Sequence, residues 1–485
     1  MEQPLHLEID RAAKTSLAEQ IRTGIEAAIE SGILVPGARL PSWLDLAAQL
    51  GVARGTVRVA YEKLAAAQFV VASRTAGTRV ADRPHMARPP GQPSDAGPFM
   101  ETYREMTAGP AVFQMGVPGP DTFPATLFAR IRAQAVRAEA SAPALYPDPR
   151  GEPELRREIA AYLALARGVA CSADQVLVTA GFAGGLGLTL RALRLEGRGA
   201  WVEDPGFPFT RHGLRLAGLT LVPVPVDADG IDVDRGRRFA PDAALAVVTP
   251  GQQAPLGVTL SLGRRLGLLD WANAAGAWVI EDDYLGELQL GGRAAPALAS
   301  LDRAGRVIHI GSFSKTLSPA LRLGFVVVPA ALVPRFAEVA ACLAPAPGPS
   351  LQTAVAAFMR EGHYMRHLRR TKRVYSARRD GLLAALRPQV GEVSTAGLAA
   401  LVPLARDAPD PALAKQASAF GLAPMPLSPW YAAPDMGRPG LLLGIATAPR
   451  RNLVEACERL GAIMSRFRSE TGFAALWDTG AAPDG

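Results

Sequence analysis

Between residues 112 and 370, short apolar runs alternate with segments that have the hydrophobic period of a helix. Each run is three or four residues long and rich in Val, Ile or Leu, as in strands buried on both faces of a sheet. The runs lie at 176–178, 200–202, 219–222, 245–248, 278–280 and 307–310. Their alternation with helices predicts an α/β domain whose mostly parallel sheet is covered on both sides. Ligands bind such sheets at the carboxyl ends of the strands, so the residues after each run are candidates for a site.

The run at 307–310 is followed by a loop that carries a lysine beside phosphate-binding groups. Ser312, Ser314 and Arg322 offer hydroxyls and a guanidinium that suit a phosphate. A lysine that is partly desolvated near a cation becomes nucleophilic. The loop therefore predicts that Lys315 bonds to a phosphorylated carbonyl compound. The alternative is an exposed loop lysine with no chemical role.

Three other strand ends carry residues that fit the same kind of ligand. Residues 179–185 form a glycine-rich turn into a helix, whose free amide groups favour a phosphate. Phe207 offers an aromatic face, while Asp282 and Tyr284 suit a pyridinium proton and a ring hydroxyl. A phosphorylated, hydroxylated pyridine aldehyde would use all four strand ends, so the pattern predicts pyridoxal 5′-phosphate as cofactor. Otherwise the acids are solvated loop residues and Phe207 belongs to the core.

The first 80 residues predict a small module with a helix-turn-helix. A helix over 17–29 places apolar residues four apart, and a second helix begins after Ser42, which can cap it. A third helix follows a four-residue turn at 51–54, which is typical of the helix-turn-helix. Two short segments on either side of Gly77 then predict a hairpin, the wing. The residues expected to face inward on the second helix are Leu44, Ala47 and Leu50.

Positive charge is concentrated in the third helix and the wing. Residues 51–81 hold five Lys or Arg but a single acid, Glu62. The start of the third helix reads base edges in this motif, whereas wing cations suit phosphates or the minor groove. The alternative is a protein-binding module with a solvated basic face. The candidate DNA contacts are Arg54, Thr56 and Arg58 in the helix and Arg74, Thr78 and Arg79 in the wing.

Composition divides the chain into five segments. They are the basic module at 1–81, a proline-rich linker without hydrophobic period at 82–110, the large α/β domain at 111–370, a smaller α+β lobe at 371–470 and a loose tail at 471–485.

A second basic segment lies at residues 360–379, which hold eight Lys or Arg against the single acid Glu361. It predicts either a further DNA-contacting surface or a solvated basic face. His363 and His367 have metal-ligand spacing, but the arginines around them favour the solvated face.

The bulk composition restricts the class of protein but not its function. A net charge of +7 permits an acidic partner without requiring one. Cys171, Cys342 and Cys457 are too few and too far apart for a disulfide framework or a zinc module. The start lacks the apolar core of a signal peptide, and no uncharged apolar run approaches membrane-spanning length. We therefore expect a globular protein of the cytoplasm.

The N-terminal segment resembles the winged helix-turn-helix of the GntR regulators. The resemblance rests on Pro36-Gly37-Ala38-Arg39-Leu40-Pro41-Ser42 and on Leu50-Gly51-Val52-Ala53-Arg54-Gly55-Thr56-Val57-Arg58. It implies double-stranded operator DNA as partner and adds Arg39 and Ser42 to the candidate contacts. The family usually has an arginine close behind Leu-Pro-Ser, where this chain has Trp43-Leu44. One phosphate contact is therefore expected to be missing.

The segment after the linker resembles the fold type I aminotransferases, and the chain from about residue 14 to 467 resembles the MocR/GabR-type regulators. The resemblance implies that Lys315 bonds to pyridoxal phosphate, Asp282 pairs with the pyridine nitrogen, Tyr284 meets the ring hydroxyl and Phe207 stacks on the ring. It also implies a homodimer, which can be domain-swapped. The groups implied for the phosphate are Ser312, Ser314, Arg322, the amides around Phe182 and Ala183, and Tyr146 from the other subunit.

Departures from the family pattern affect the expected activity. Leu442 stands near the place where aminotransferases have an arginine that clamps the substrate's α-carboxylate. Gln252, Ala254 and Phe182 replace a usual histidine, an aromatic or asparagine, and a small hydroxyl residue. The sequence therefore predicts a regulator whose aminotransferase-like domain senses a small amine, an amino acid or pyridoxal phosphate itself and alters operator binding. The alternative is a working aminotransferase with an accessory DNA-binding module, in which Lys315 would be catalytic.

Overall fold

The computed structural model describes residues 7, 9–73, 77–82, 97–107, 111–291, 294–433 and 437–471. The chain divides into two compact units, Met1–Tyr103 and Arg104–Gly485. A helix over Gly97–Thr107 lies within the segment predicted as a linker, whose composition did not indicate it. Arg74, a predicted DNA contact, lies outside the described residues. None of the helices within the described ranges is long and apolar enough to cross a membrane.

The N-terminal unit is a winged helix-turn-helix. Its elements are α1 (Leu17–Glu30), α2 (Trp43–Leu50), α3 (Arg54–Ala66), β1 (Val70–Ser73) and β2 (Gly77–Val80), the strands pairing antiparallel. The Oγ of Ser42 accepts a hydrogen bond from the Asp45 amide and starts α2. Gly51, at a φ of +62°, ends α2 because glycine adopts that conformation at little cost.

The core of this unit joins all three helices. Ile21 and Ile25 of α1, Leu46 of α2, and Val57 and Leu64 of α3 are fully buried. The prediction that Leu44 faces inward is wrong, because Leu44 is exposed and Leu46 packs in the core. A helix of eight residues is too short for its apolar residues to define a single face. Packing against α1 and α3 decides that Leu46, and not Leu44, is buried.

In the described part of the second unit, an eight-stranded sheet has the order β3-β10-β9-β8-β7-β4-β5-β6. Strands β5, β4, β7, β8 and β9 are parallel neighbours, which confirms the predicted mostly parallel sheet. Strand β10 was not predicted and runs antiparallel between β9 and β3. The strands are β3 (Val176–Thr179), β4 (Gly199–Asp204), β5 (Thr220–Asp227), β6 (Gly230–Ile231), β7 (Leu245–Val248), β8 (Trp278–Asp283), β9 (Val307–Ser312) and β10 (Gly324–Val327).

Helices cover both faces of this sheet. Alternate strand residues face opposite cores: Ile280 and Ile308 pack with residues of α7, whereas Val279 and Val307 pack with residues of α10. The carboxyl ends of the parallel strands therefore meet at one edge. The helices are α4 (Gly97–Thr107), α5 (Ala125–Ser141), α6 (Pro153–Ala166), α7 (Gly181–Leu193), α8 (Pro208–Leu216), α9 (Val233–Phe239), α10 (Leu262–Ala275), α11 (Val333–Leu343), α12 (Pro349–Arg360) and α13 (His363–Val390).

The C-terminal lobe is built on a second, antiparallel sheet. Its strands β11 (Ser394–Ala396), β12 (Ala399–Pro403), β13 (Met425–Pro426) and β14 (Gly440–Gly444) have the order β11-β12-β14-β13. Helices α14 (Asp410–Ser418) and α15 (Leu453–Thr471) pack beside it. Helix α13 runs without interruption through the predicted boundary between residues 370 and 371, so the large domain and the lobe share one helix.

Candidate functional site

Lys315 lies in the loop that follows β9. Its Nζ donates a hydrogen bond to the backbone carbonyl of Gly116, a residue that sequence analysis did not single out. Burial lowers the pKa of Lys315, and the negative charge of Asp282 opposes that shift. In the same loop the Ser312 Oγ lies 3.0 Å from the Ser314 Oγ and accepts a hydrogen bond from the Ser314 amide. The loop thus presents an amine of increased nucleophilicity next to two hydroxyls.

Asp282 lies near the end of β8, on the strand next to β9. The side chain is buried, and within the described residues its carboxyl group makes no hydrogen bond. Burial raises the pKa of Asp282 well above its ordinary value, and the charges of Asp283 and Glu203 add to this shift. Burial also raises the pKa of Tyr284. A buried carboxyl of this kind is stabilised as an anion only when a cation or a protonated donor approaches it.

A small cleft opens at the carboxyl ends of β4, β7 and β8. Asp282, Glu203 and Phe207 line it together with residues of α8 and β7. Glu203 is held by the amide and the hydroxyl of Thr249, at 3.1 and 2.6 Å from its two carboxyl oxygens. The cleft therefore has two buried carboxyl groups and one aromatic ring in its wall.

Phe207 is fixed where the large domain meets the C-terminal lobe. Its ring centroid lies 5.7 Å from that of Trp430. Arg211, one turn further along α8, donates hydrogen bonds to the carbonyls of Gly206, Pro429, Trp430 and Tyr431. These contacts hold the residue before Phe207 and the turn at 428–430 to one guanidinium.

Of the predicted phosphate groups, Arg322 lies beside the start of α7, where Phe182 and Ala183 are located. Arg322 has a positive φ, is exposed, and lies with its Nη2 3.4 Å from the carbonyl of Ala180, which precedes α7. Ala183 is exposed in the first turn of the helix, whereas the side chain of Phe182 packs against the core. Tyr146 is fully exposed. The structure thus brings Arg322 to the start of α7 and leaves the Tyr146 side chain exposed.

Most of the predicted DNA contacts that the structure describes are exposed on the N-terminal unit. Arg54 and Arg58 are exposed on α3, while Thr56 is half-buried. Arg58 lies 3.6 Å from Glu62, a surface pair that holds it only weakly. Arg39 and Arg79 pair across a β-bridge, which joins the segment before α2 to the wing next to Thr78. The hydroxyl of Ser42 donates to the Asp45 carboxylate in the α2 cap.

Comparison with known proteins matches both units. Residues 17–80 match the family of bacterial regulatory proteins, gntR family, and residues 116–460 match aminotransferase class I and II. The chain is 33% identical to the probable rhizopine catabolism regulatory protein MocR of Rhizobium meliloti, with 98% of each chain covered. The chain belongs to the MocR-type regulators of the gntR family. The predicted resemblance is therefore confirmed.

Other relatives of this MocR-type regulator agree with the assignment. It is 33% identical to the HTH-type pyridoxine biosynthesis transcriptional regulator PdxR of Corynebacterium glutamicum, over 76% of this chain and 78% of the relative. It is 34% identical to the HTH-type transcriptional regulator TauR of Rhodobacter capsulatus, over 76% and 80%. Among solved structures, LysN, the α-aminoadipate aminotransferase of Thermus thermophilus, superposes with a TM-score of 0.68 at 28% identity, covering 76% and 96% of the two chains.

In this MocR-type regulator, two of the residues that depart from the aminotransferase pattern, Leu442 and Ala254, lie close together. Leu442 is completely buried in β14 and packs in one apolar cluster with Ala254 and Trp430. Phe207 and Tyr284 pack against the same cluster. The Nε2 of Gln252 donates to the carbonyl of Leu285 at 2.9 Å, so its amide is used within the fold. The part of the wall that this cluster forms beside Phe207 and Tyr284 is therefore apolar.

A buried ionic network behind β8 and β9 was missed by sequence analysis. Arg167 binds both carboxylate oxygens of Asp283, at 2.7 and 3.1 Å, and Asp283 lies 3.8 Å from His309. The Nδ1 of His309 lies 3.0 Å from Glu281, whose oxygens also accept from the amides of Leu298 and Ala299. Burial alone would lower the pKa of His309, but the Glu281 carboxylate raises it above its ordinary value. The network fixes the residues on both sides of Asp282.

The two histidines predicted at metal-ligand spacing lie on α13 and have separate partners outside this helix. His363 lies 3.0 Å from Glu361, whereas His367 is buried and its Nε2 donates to the carbonyl of Thr316 at 2.6 Å. The expectation of a solvated face is therefore wrong for His367, because it packs inward against the residue next to Lys315. The same contact uses the Nε2 of His367, so His367 is not available as the second ligand of a metal site.

The raised pKa of Glu203 predicts how the stability of this regulator depends on pH. Burial raises the pKa of Glu203 to about 7, against the hydrogen bonds from Thr249 and Gln253. The unfolded carboxyl ionises near its ordinary value, so the stability contributed by protonated Glu203 is complete at low pH and is lost as the pH rises toward 7. We expect the free energy of unfolding to fall by about 2 kcal/mol through this group between about pH 5 and 7.5.

Urea denaturation at the two pH values measures this effect. In Glu203→Gln, the difference between the free energies of unfolding at pH 5 and pH 7.5 should be smaller than in wild type by about 2 kcal/mol. The same substitution at exposed Glu196 serves as the control and should leave the difference unchanged. An equal pH dependence in wild type and Glu203→Gln would mean that Glu203 is ionised throughout this range.

Proposed function

We propose that this MocR-type regulator binds pyridoxal 5′-phosphate in the cleft of its second unit and uses it to sense a small amine, an amino acid or the cofactor itself. The observation that carries the proposal is Asp282, a buried carboxyl without a hydrogen bond in the described structure, facing a cleft that it shares with Phe207. A protonated pyridine nitrogen is the kind of partner that such a carboxyl lacks. Lys315 supplies the amine that an aldehyde requires, and its charge acts on Asp282.

Each of the predicted cofactor-binding residues has a definite part in this proposal. Lys315 provides the covalent attachment of the cofactor. Before the cofactor binds, the backbone carbonyl of Gly116 holds the Lys315 amine in place. Asp282 holds a proton on the ring nitrogen, Tyr284 meets the ring hydroxyl and Phe207 covers one face of the ring. Ser312, Ser314, Arg322 and the α7 amides at Phe182 and Ala183 bind the phosphate dianion. When bound, pyridoxal phosphate supplies an aldehyde that exchanges with amines and a ring that accepts electrons.

The proposed role of the cofactor is that of a sensor. Leu442 and the apolar cluster around it provide no counter-charge for an α-carboxylate, which argues against ordinary transamination. A ligand that reacts at Lys315, or displaces it, changes the contacts of the loop that also holds Thr316 against α13. Operator affinity changes only to the extent that the ligand binds one of two conformations more tightly than the other.

The proposal includes a homodimer on double-stranded DNA. A dimer brings two winged helices to two half-sites, and it supplies the phosphate site with the otherwise unused Tyr146 of a second copy. Because its DNA partner is in the cytoplasm of a bacterial cell, we place the regulator there.

Replacing Arg54 or Arg58 by alanine tests the DNA-binding half of the proposal. Both are exposed at the start of α3, the end of the helix that reads base edges. We expect each substitution to weaken operator binding by about 1–3 kcal/mol, roughly 5- to 150-fold. The measurement is fluorescence anisotropy, with and without pyridoxal phosphate, on a DNA duplex taken from upstream of the gene that encodes this chain. Lys14→Ala, also exposed in the N-terminal unit, is the control, and binding that both variants retain in full would contradict the assignment of α3 as the reading helix.

A further inference from the structure

Helix α13 separates its residues into a buried face and a basic face. Tyr364, His367, Leu368, Thr371 and Tyr375 are buried. Arg366, Arg369, Arg370 and Arg373 are exposed on the opposite side. The spacing of these arginines, three and four residues apart, places them in one row along the helix. The basic segment read from the sequence is therefore an ordered stripe and not a scatter of charges.

The arginines of this stripe are largely without acidic partners. Within the described ranges Arg369, Arg370 and Arg373 form no ion pair and no hydrogen bond, and Arg366 bonds only to His363 and to carbonyls at the start of α13. The preceding helix α12 contains no Asp or Glu. Side chains that face solvent with uncompensated charge create a positive potential that attracts a polyanion.

The stripe is also held in a fixed position. From the buried face, the Tyr364 hydroxyl donates to the Thr316 Oγ1 at 3.2 Å, and the His367 Nε2 donates to the Thr316 carbonyl at 2.6 Å. Arginines on a rigid helix lose less freedom on binding than arginines on a loop. The same contacts attach the stripe to the residue that follows Lys315.

We propose that Arg369, Arg370 and Arg373, extended by Arg366, form a second DNA-binding surface that contacts backbone phosphates without reading sequence. From Arg366 to Arg373 the helix rises about 10 Å, which spans about three phosphates of one strand. Arginine is suited to phosphate through its planar, bidentate donors. The winged helix of the same chain brings DNA to a high local concentration, which favours this partner over other polyanions. The inference rests on the proposed DNA binding and extends it from the N-terminal unit to the second unit.

The test uses the full-length chain and a 40-base-pair duplex of random sequence, with affinity measured at several salt concentrations. The variant is the triple substitution Arg369→Gln, Arg370→Gln and Arg373→Gln. Each phosphate contact contributes about 0.9 to the slope of log affinity against log salt, so the slope should fall by roughly 3. At about 0.1 M salt we expect binding to weaken at least about tenfold.

Two matched variants make the result specific. Arg130→Gln, Arg132→Gln and Arg137→Gln remove the same charge from exposed positions of α5 and should leave the slope unchanged. Arg369→Lys, Arg370→Lys and Arg373→Lys keep the charge and should retain the wild-type slope, which distinguishes lost contacts from a misfolded α13. A wild-type slope in the α13 glutamine variant, or an equal decrease in the α5 variant, overturns the proposal.

The Arg54 and Arg58 variants separate this inference from the proposed function. If they lose operator binding while the α13 glutamine variant keeps the wild-type salt slope, the winged helix binds DNA and the second surface is refuted. If the wild-type chain binds neither the operator duplex nor the random duplex, DNA binding by this chain is itself refuted, and the second surface with it.

Discussion

Replacing Lys315 by alanine is expected to abolish covalent attachment of pyridoxal phosphate. Lys315 is the lysine that the structure places near the buried Asp282 carboxyl, with burial lowering its pKa. A less basic amine is unprotonated more often and attacks an aldehyde more readily. Borohydride reduction of wild type incubated with pyridoxal phosphate should leave one pyridoxyl group on Lys315. The Lys315→Ala variant should show no specific label in the mass spectrum of its peptides.

A control distinguishes this site from ordinary surface lysines, which react with aldehydes weakly. Lys415→Ala changes an exposed lysine of α14 and should retain wild-type labelling. The visible absorption band of the bound cofactor provides a second readout, since it should disappear in Lys315→Ala and persist in Lys415→Ala. A normal absorption band in Lys315→Ala would show that the cofactor is not bound by Lys315, and the assignment of the loop after β9 to the cofactor site would be wrong.

The architecture was predictable because each feature rests on local sequence. The short Val- and Ile-rich runs at 278–280 and 307–310 became β8 and β9, since strands buried on both faces need continuous apolar residues. Parallel neighbours have their carboxyl ends at the same edge, so Asp282 and Lys315 had to come together once the sheet formed. The wing and α3 were predictable for a similar reason: Gly51 and Gly77 mark turns that glycine makes at low cost.

The remaining features depend on contacts between distant residues. Arg167 has no periodicity or motif that points to Asp283, which lies 116 residues away. Gly116 is 199 residues from Lys315, and only the folded chain aligns its carbonyl with the amine. Leu44 and Leu46 are both apolar residues of α2, and tertiary packing alone decides which of them is buried. His367 belongs to a basic segment in sequence, yet it faces Thr316 because the helix turns it inward.

Replacing Arg167 by methionine is expected to reduce the free energy of unfolding by about 3–5 kcal/mol. Arg167 and Asp283 are buried, with side chains 2% and 4% exposed, and the guanidinium also donates to the Ala295 carbonyl at 2.9 Å. Burial alone would lower the pKa of Arg167, but the charge of Asp283 raises it above its ordinary value. Methionine fills much of the same volume but leaves the Asp283 carboxylate uncompensated. Urea denaturation monitored by circular dichroism measures the loss.

The double variant Arg167→Met with Asp283→Leu separates the cost of an unpaired charge from the value of the pair. Replacing both partners by apolar residues should recover most of the lost stability, because a buried ion pair contributes little relative to a packed apolar pair. As a matched control, Arg459→Met breaks the exposed pair of Arg459 with Glu455, at 2.9 Å, and should cost less than about 1 kcal/mol. If the double variant is as unstable as Arg167→Met, the loss of stability comes mainly from the hydrogen bond to Ala295 and the packing of Arg167. In that case the ionic network serves mainly to position β8 beside the cleft.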